Sequence, residues 1–483
     1  MSRVRYGTTL SHDRQPWVGR LIGALAVAGV GVLIGLQYVT PDKRVLAVMA
    51  AAVVFGVAWR LDTISAIGVL LITLPFPRGT VFGNTNLALI LLLLMVWLLR
   101  FTTRMAPGPR RTPLDAPLVA LLTMYVVSFY NVVPAEFAFA FENTVIVVAA
   151  VVMYYLIVNN IRTTRDLRRF LTLQCASVAI ALLVSTIELA RPGTVLIPGW
   201  IDFSHVLTEG AELHNLRVGG PFHDYELLAE HCALYFLLFL FLFRQARSIG
   251  ARTVNALMMG YSLFILAVTQ TRGAIVALTT GALFLMFLIR RRLRLVPVTI
   301  LLLSTAAGLT LLEYVVANFT HSGSVVGRIA ETHFKNGLPD TRADVWPAAI
   351  ERMMHHPLIG WGPYYSTLTG LHFWYWPHDV YLYVANTIGL IGLGCFLWLL
   401  GTLWRISRPD TDRLDDPDFV RGYLLIAHVM LLVFLVDEVK IEFLRNTIYL
   451  FQPWILFSTI VAAHRLRRAQ VESSALTPLA RAA

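Results

Sequence analysis

The residues of this chain that are best suited to chemistry lie in a polar stretch between two apolar segments. The stretch holds Arg342, the motif HHPLIGWG at 355–362, and the sequence Trp376-Pro377-His378-Asp379 directly before an apolar run. A titratable side chain at the mouth of an apolar helix is costly and marks a hypothetical functional site. A neutral imidazole accepts a proton from a hydroxyl near pH 7, which makes His378 the candidate general base. An interfacial, solvated histidine is the alternative.

Three residues near His378 in the sequence have candidate supporting roles. Asp379 is a candidate to orient the imidazole, although adjacent residues on a helix do not face each other. Arg342 is a candidate to complete the site, and pairing with Asp344 or Glu351 is the alternative. Trp376 is a candidate to stack on a substrate ring, whereas an aromatic belt at the membrane interface is the default interpretation.

Two arginines lie next to glycines at the entrances of apolar helices. Arg272 stands in Thr269-Gln-Thr-Arg272-Gly273, and Arg217 precedes Gly219-Gly220-Pro221. Arginine presents a fixed fork of donors that suits phosphate groups, and glycine lets the backbone approach a ligand closely. The pair therefore predicts a site for a diphosphate anion. Contacts of each arginine with lipid headgroups are the alternative.

Acidic residues and histidines follow Arg217 at helical spacing. His223, Glu226 and Glu230 fall at i, i+3 and i+7, so they share one face of a helix. That spacing fits a divalent metal ion. The alternative is a polar stripe packed against Arg217 or another basic residue. We adopt the polar stripe as the prediction and assign no metal to the site.

The composition places these residues in a membrane. Mean hydropathy is +0.66, and only 14% of residues are charged, against about 25% in soluble domains. The net charge of +11 reflects arginines clustered in short loops between apolar runs. This pattern is typical of membrane topology signals and argues against nucleic-acid binding.

An all-α polytopic membrane protein with about 14 transmembrane helices (roughly 12–14) is predicted from runs of some 20 apolar residues. The spans centre on residues 21–39, 45–59, 64–76, 84–99, 118–133, 145–158, 170–189, 227–243, 254–269, 273–289, 295–312, 380–404, 423–436 and 447–463. Most of the 40 lysines and arginines fall on alternate loops, which predicts both termini on the inner side. Two outer loops are long, 190–222 and 313–377. The second, between the eleventh and twelfth spans, is predicted to contain short amphipathic helices, one over 341–354.

The order of these motifs resembles that of the O-antigen ligase and polymerase superfamily. The matching sequences are Arg217-Val-Gly-Gly-Pro-Phe222, Thr271-Arg-Gly-Ala274, and the series Arg342, Trp346, His356-Pro-Leu-Ile-Gly-Trp-Gly362 and His378. The resemblance is best from Arg217 to Gly394, and the N-terminal half matches only in hydropathy. The order, spacing and outer-loop placement of the motifs together carry the resemblance.

The resemblance implies a metal-independent, cofactor-free, inverting glycosyltransferase that faces the periplasm from the bacterial inner membrane. Its donor would be an undecaprenyl-diphosphate-linked glycan, and its acceptor a lipid A-core sugar or another glycan. On this resemblance His378 is the base, Arg272 and Arg217 stabilise the diphosphate leaving group, and Arg342 lies on the arginine-tryptophan helix of the loop. In many members Asn, Ser or Thr follows the histidine. Asp379 departs from that pattern: a carboxylate at this position would raise the basicity of the histidine or mark a subgroup with a different acceptor.

Five parts of the chain are predicted on this basis. They are an N-terminal transmembrane bundle (1–189), a transmembrane core (190–312) with outer loop 190–222, a periplasmic catalytic loop (313–377), C-terminal transmembrane helices (378–464) and a cytoplasmic tail (465–483). Ligase and polymerase activities remain alternatives within the enzyme class. A polysaccharide or lipid transporter is the first alternative outside it, although no internal repeat of the transporter type is found. A scaffold of an export complex is the second, and it would not require His378.

Overall fold

The computed structural model of the protein describes most of the chain. The described residues are 43–76, 79–80, 83–106, 108–197, 201–202, 217–290, 314, 334–335, 338–364 and 376–482. The predicted spans at 21–39 and 295–312, and much of both long outer loops, lie outside them. Residues Met1–Thr63 and Ile64–Ala483 form two compact units, which are described separately.

The described chain is predominantly helical. Its α-helices are α1 (Lys43–Arg60), α2 (Thr63–Thr73), α3 (Thr85–Thr102), α4 (Asp115–Val127), α5 (Phe137–Asn160), α6 (Thr164–Ala190), α7 (Tyr225–Gln245), α8 (Ile249–Val268), α9 (Arg272–Ile289), α10 (Asp340–His355), α11 (Val380–Ser407), α12 (Phe419–Asp437) and α13 (Phe451–Ala482). Short antiparallel hairpins pair β1 (Gly79–Thr80) with β2 (Gly83–Asn84), β3 (Val195–Ile197) with β4 (Ile201–Asp202), and β5 (Phe334–Lys335) with β6 (Leu338–Pro339). Single 3-10 turns lie at Ser128–Asn131, Pro134–Glu136, Gly220–Phe222 and Phe443–Arg445.

Side-chain caps fix the first turns of several helices. Asp224 accepts hydrogen bonds from two backbone N–H groups at the start of α7, and Asp379 accepts one at the start of α11. Asp418 does the same for α12, and Thr163 forms a reciprocal capping box with Asp166 at α6. These oxygens satisfy N–H groups that have no partner inside the helix, so the sequence determines where each helix begins.

Two helices form the centre of the larger unit. Among the eight described helical segments that are long and apolar enough to cross a membrane, α12 and α7 are the most fully buried, and they pack against each other. Helix α9 packs across both, α8 packs on α7, and α13 packs on α12 and α5. All the helix ends that form the candidate site belong to these central helices or to α10 and α11, which pack on each other.

The predicted spans agree with the described helices. All but the two spans outside the described residues coincide with a helix, including the short span at 64–76, which is α2. Eight of the described helical segments are long and apolar enough to cross a membrane. The protein is therefore a multi-pass membrane protein. The total of 14 and the five-part division of the chain remain predictions.

The amphipathic helix predicted over 341–354 is α10, which extends one residue further at each end. The motif that follows it is held against α11 at an interruption of that helix. Gly389 has φ 77° and ψ 177°, so the two hydrogen bonds that a continuous helix would make across it, from the N–H of Leu390 to Asn386 and from that of Ile391 to Thr387, are lost.

Backbone groups of the motif 357–362 pair with both the carbonyl groups and the N–H groups that these lost bonds leave open. The N–H groups of Trp361 and Gly362 donate to the carbonyls of Asn386 and Thr387, at 2.9 and 3.0 Å. The N–H groups of Leu390 and Ile391 donate to the carbonyls of Pro357 and Leu358, at 2.8 and 3.3 Å. The motif therefore has a structural role, because it satisfies backbone groups that the break in α11 leaves open.

Candidate functional site

Three non-glycine residues with left-handed backbone conformations stand at the entrances of the helices around the site. His223, Gln270 and His378 have φ values of 53°, 54° and 48°. Each lies two residues before the first residue of its helix, α7, α9 or α11 respectively. Such conformations are uncommon outside glycine and persist where the surrounding structure imposes them. The entrances of α7, α9 and α11 are thus built alike, and His378 occupies the entrance of α11.

The backbone around His378 is held by contacts from two other elements. The indole Nε1 of Trp346 on α10 donates to the carbonyl of Pro377 at 3.0 Å. The N–H of Val380 donates to the carbonyl of Glu438, after α12, at 2.9 Å. These bonds fix the residues on both sides of His378 and so set the direction of its side chain.

His378 contacts Glu226, a residue in the first turn of α7. Its Nδ1 lies 3.2 Å from Glu226 Oε2 and 2.9 Å from Arg445 Nη1. When Nδ1 carries the proton, it donates to Glu226 and leaves Nε2 free to accept a proton from another group. When Nδ1 is unprotonated, it accepts from Arg445, and Nε2 carries the proton instead. Glu226 thus favours the tautomer that a general base requires, whereas Arg445 favours the other one.

Arg445 joins the carboxylates of the site. Its guanidinium donates to Asp224 Oδ2 at 2.5 Å, to Glu226 Oε2 at 3.1 Å and to Glu442 Oε1 at 3.1 Å. Burial alone would lower the pKa of Arg445, but the three carboxylates raise it above its ordinary value. Burial raises the pKa of Glu442 to about 7, against the opposing charge of Arg445. Arg445 therefore stays charged and holds α7, the α12–α13 turn and His378 together.

Arg342 reaches the same cluster from α10. Its Nη2 donates to the carbonyl of Lys440 at 2.9 Å and lies 3.6 Å from Glu226 Oε1. Among the predicted site residues, Arg342 and His378 thus meet at one carboxylate, that of Glu226. The predicted pairings of Arg342 with Asp344 or Glu351 are not among the ion pairs found within the described residues.

Asp379 and Trp376 lie beside His378 and contact other groups. The carboxylate of Asp379 accepts the N–H of Leu382 at 2.8 Å and caps α11. Burial raises the pKa of Asp379 to about 6, although backbone hydrogen bonds oppose that shift. The Trp376 ring stacks on Tyr383, with centroids 6.1 Å apart. It is Glu226, and not Asp379 as the sequence suggested, that contacts the imidazole.

Arg217 contacts the turn between α8 and α9, directly before Arg272. Arg217 Nε donates to the carbonyl of Thr269 at 3.1 Å, and its guanidinium lies 3.2 Å from the centroid of the Tyr225 ring. Arg272 is the first residue of α9 and lies near enough to Lys440 to influence its charge. The predicted pair is thus placed at one turn, with Arg217 against its backbone and Arg272 at its end.

The three residues of the predicted metal-binding face do not act together. His223 is exposed, Glu226 is bound to cationic groups, and Glu230 is completely buried. Within the described residues no group of three or more His, Cys, Asp or Glu is arranged to hold a metal ion. The polar-stripe interpretation fits Glu226, although its basic partners are Arg342 and Arg445 and not Arg217.

Sequence reasoning missed the turn between α12 and α13. This turn supplies Lys440, Glu442 and Arg445, and the buried residues Asp437 and Glu438 precede it. Five charged residues within nine positions between two apolar runs were a usable signal, because charge so close to spans is costly. Glu188 was missed as well, and its carboxylate accepts the N–H groups of Gly219 and Gly220.

Four segments predicted to lie on the same side of the membrane therefore meet. They are the entrances of α7, α9 and α11 and the α12–α13 turn. Together they present an oriented imidazole beside arginines and a lysine, in a partly buried setting where charge interactions are stronger than in water. Such a site can remove a proton from a hydroxyl and stabilise an anionic leaving group.

The fold and the site define a multi-pass helical membrane protein with a polar, titratable site at one end of its spans. Residues 257–397 match the family model described as Wzy_C, O-antigen ligase, which confirms the resemblance over that segment. The matched segment includes Arg272, Arg342, Trp376, His378 and Asp379. Members of this family are membrane enzymes of the glycosyltransferase type that act on lipid-linked polysaccharide substrates. No curated protein matches the chain.

Proposed function

We propose that the protein transfers a glycan from an undecaprenyl-diphosphate carrier to a sugar hydroxyl at the periplasmic face of the bacterial inner membrane. The single observation that carries the proposal is the contact of 3.2 Å between His378 Nδ1 and Glu226 Oε2. A carboxylate that accepts from Nδ1 supports a basic Nε2, and Arg342 and Arg445 lie at the same carboxylate. The family match over 257–397 supports the substrate class.

The reaction requires one proton transfer and one displacement. Nε2 of His378 accepts the proton of the acceptor hydroxyl, and the oxygen attacks the anomeric carbon of the donor sugar. The bond between that carbon and the diphosphate oxygen breaks, and its electron pair stays on the diphosphate. Attack from the face opposite the leaving group inverts the anomeric centre. Neither a nucleotide sugar nor a metal ion is part of this scheme.

Cationic side chains stabilise the departing diphosphate in the proposal. Arg272 and Arg217 are the residues assigned to it, and both lie at the α8–α9 turn. Their fixed donors in a site of low dielectric stabilise the growing charge more than water would. Arg342 binds the substrate beside Glu226, and Trp376 provides an aromatic face for a sugar ring.

Ligase activity, with a lipid A-core sugar as acceptor, is the assignment preferred here over polymerase activity, with a second lipid-linked glycan as acceptor. The chemistry of the two is the same, so the residues above serve either. A transporter or an export-complex scaffold is the alternative outside the enzyme class. Neither requires an oriented imidazole, and the His378–Glu226 contact therefore favours an enzyme.

The test is complementation of a strain in which the gene is deleted, comparing wild type with His378→Ala. The variant should reach the membrane at normal levels but lose surface polysaccharide, and lipid-linked glycan should accumulate. Long accumulated chains would indicate a blocked ligase, and single repeat units a blocked polymerase. His355→Ala is the matched control, since His355 is an exposed histidine of the same loop.

Two further outcomes bear on the mechanism. Normal polysaccharide from the His378→Ala strain would refute the base assignment and bring the transporter and scaffold alternatives forward. Transfer by purified protein should be unchanged by EDTA, and loss of turnover on chelation would contradict the metal-free scheme.

A further inference from the structure

Lys440 lies at the point where three elements of the site converge. It follows α12, and its backbone N–H donates to the carbonyl of Asp437 at 2.7 Å. Its side chain crosses the first turn of α9: a Cβ added to Gly273 would lie 2.9 Å from Lys440 Cδ and 3.6 Å from Nζ. Gly273 therefore makes room for the lysine chain next to Arg272.

A second arginine approaches Lys440 from α10. Arg342 donates to the carbonyl of Lys440 at 2.9 Å. Burial lowers the pKa of Lys440, and the positive charges of Arg342 and Arg272 lower it further, whereas the nearby Asp437 opposes the shift. Lys440 is half-buried, and both arginines are near enough to affect its charge.

Asp437 lies beside the lysine side chain, with its Oδ1 3.1 Å from the same added Cβ of Gly273. No carboxylate oxygen lies within 4 Å of Lys440 Nζ among the residues that the structure describes. The Thr271 side chain accepts no hydrogen bond from the first turn of α9, so that helix end adds a further positive potential. Asp437 and Glu226 offset part of the positive charge at this place, and a bound anion would offset more of it.

We propose that the Lys440 ammonium binds the diphosphate of the donor, together with Arg272 and Arg342. This inference rests on the proposed function and adds a residue from the α12–α13 turn to its anion site. The chemistry recognised is a pair of linked phosphate groups, and a phosphate of a membrane lipid headgroup is the other source of the same chemistry. Lys440 supplies a flexible point charge, which can follow the phosphate as the bond to the sugar breaks.

The experiment measures binding of inorganic pyrophosphate to the purified full-length protein in neutral detergent. Lys440→Gln should weaken binding about tenfold, the effect of losing one charge-assisted hydrogen bond. Arg468→Gln removes an equal charge from an exposed position and should leave the affinity unchanged. An unchanged affinity in Lys440→Gln would overturn the inference.

A second variant covers the case in which Lys440→Gln does not fold. Because its pKa is lowered, Lys440 loses its charge at a pH where arginine keeps it. Wild-type affinity for pyrophosphate should therefore decline at alkaline pH relative to Lys440→Arg. The same pH dependence in both proteins would overturn the inference.

A third measurement separates the two sources of phosphate and the two proposals. The pyrophosphate affinity of wild type is measured again in nanodiscs that contain phosphatidylglycerol, whose headgroups compete for a lipid-phosphate site. A site for the donor diphosphate keeps its affinity, whereas loss of binding would assign Lys440 to lipid headgroups. Pyrophosphate binding needs no glycan transfer. If Lys440→Gln weakens pyrophosphate binding but wild type shows no glycan transfer, the proposed function is refuted and the anion site stands. If wild type transfers glycan but Lys440→Gln binds pyrophosphate normally, only the role of Lys440 is refuted.

Discussion

His378 Nδ1 lies 3.2 Å from Glu226 Oε2, although the two residues belong to the entrances of different helices, α11 and α7. The side chains are only 24% and 13% exposed, so water competes weakly for the contact. A carboxylate that accepts Nδ1–H holds the imidazole in the tautomer whose Nε2 is basic. This contact is the basis of the first prediction.

Glu226→Gln should lower kcat for glycan transfer by about 100-fold or more, with little change in KM, because an amide fixes the imidazole tautomer less well than a carboxylate. The measurement is transfer by purified protein at saturating donor and acceptor. Glu226→Asp should restore part of the rate, and Glu472→Gln, at an exposed position, should have wild-type kinetics. A rise in KM with kcat unchanged would assign Glu226 to substrate binding instead.

Arg445→Gln should lower the free energy of unfolding by about 3–5 kcal/mol, because Asp224, Glu226 and Glu442 would lose a shared buried partner. The measurement is thermal unfolding of the detergent-purified protein. The double variant Arg445→Gln/Glu442→Gln should recover part of the loss, since one carboxylate no longer lacks a partner. Stability equal to wild type in the single variant would show that the cluster does not depend on the guanidinium.

Gly389→Ala should strongly destabilise the protein. The added Cβ would lie 2.2 Å from the carbonyl oxygen of Leu358, and the φ of 77° disfavours any side chain. Gly394→Ala is the control on the same helix, because no atom lies within 4 Å of its added Cβ. That variant should be neutral or more stable by about 0.5–1 kcal/mol. Equal melting temperatures for the two variants would contradict the structural role of the break in α11.

Asp379→Asn should change how stability depends on pH. The pKa of Asp379 is raised from 3.8 to about 6 by burial, so the folded protein binds its proton more tightly than the unfolded chain. The contribution of Asp379 to stability is therefore fully present below about pH 4, falls as pH rises to about 6, and is constant above that.

Asparagine caps a helix as well as aspartate and does not titrate. The melting temperature of wild type should consequently fall relative to that of Asp379→Asn between pH 4 and pH 6. Asp379→Ala should lose about 1 kcal/mol at every pH, because it removes the cap of α11. Parallel curves for wild type and Asp379→Asn would show that this carboxyl does not titrate in that range.

Hydropathy and arginine placement predicted the helices well, since a membrane span needs a long apolar run whatever its neighbours are. The same reasoning located α10 and the entrances that hold His378, Arg272 and Arg217. It could not say which side chains meet, because Glu226 and Arg445 are brought to His378 by the packing of α7 against α12. Local sequence suggested Asp379 as the partner of His378, but its carboxylate is used to cap its own helix.

The motif 355–362 shows a second limit of sequence reasoning. Its place beside the candidate base suggested chemistry, while its glycines serve backbone geometry. Gly360 lies against α11 so closely that an added Cβ would be 2.3 Å from the carbonyl oxygen of Thr387. Glycines in such a motif indicate that its backbone lies close to another element. Only the packed structure identifies that element as the interrupted helix α11.

The interruption at Gly389 also has a consequence for biogenesis. The ribosome synthesises the motif 357–362 before α11, the helix whose open backbone groups this motif satisfies. Until the loop docks, the carbonyls of Asn386 and Thr387 and the N–H groups of Leu390 and Ile391 have no partners, and lipid offers none. The helix is therefore complete only when the motif is docked on it, so the two must fold together.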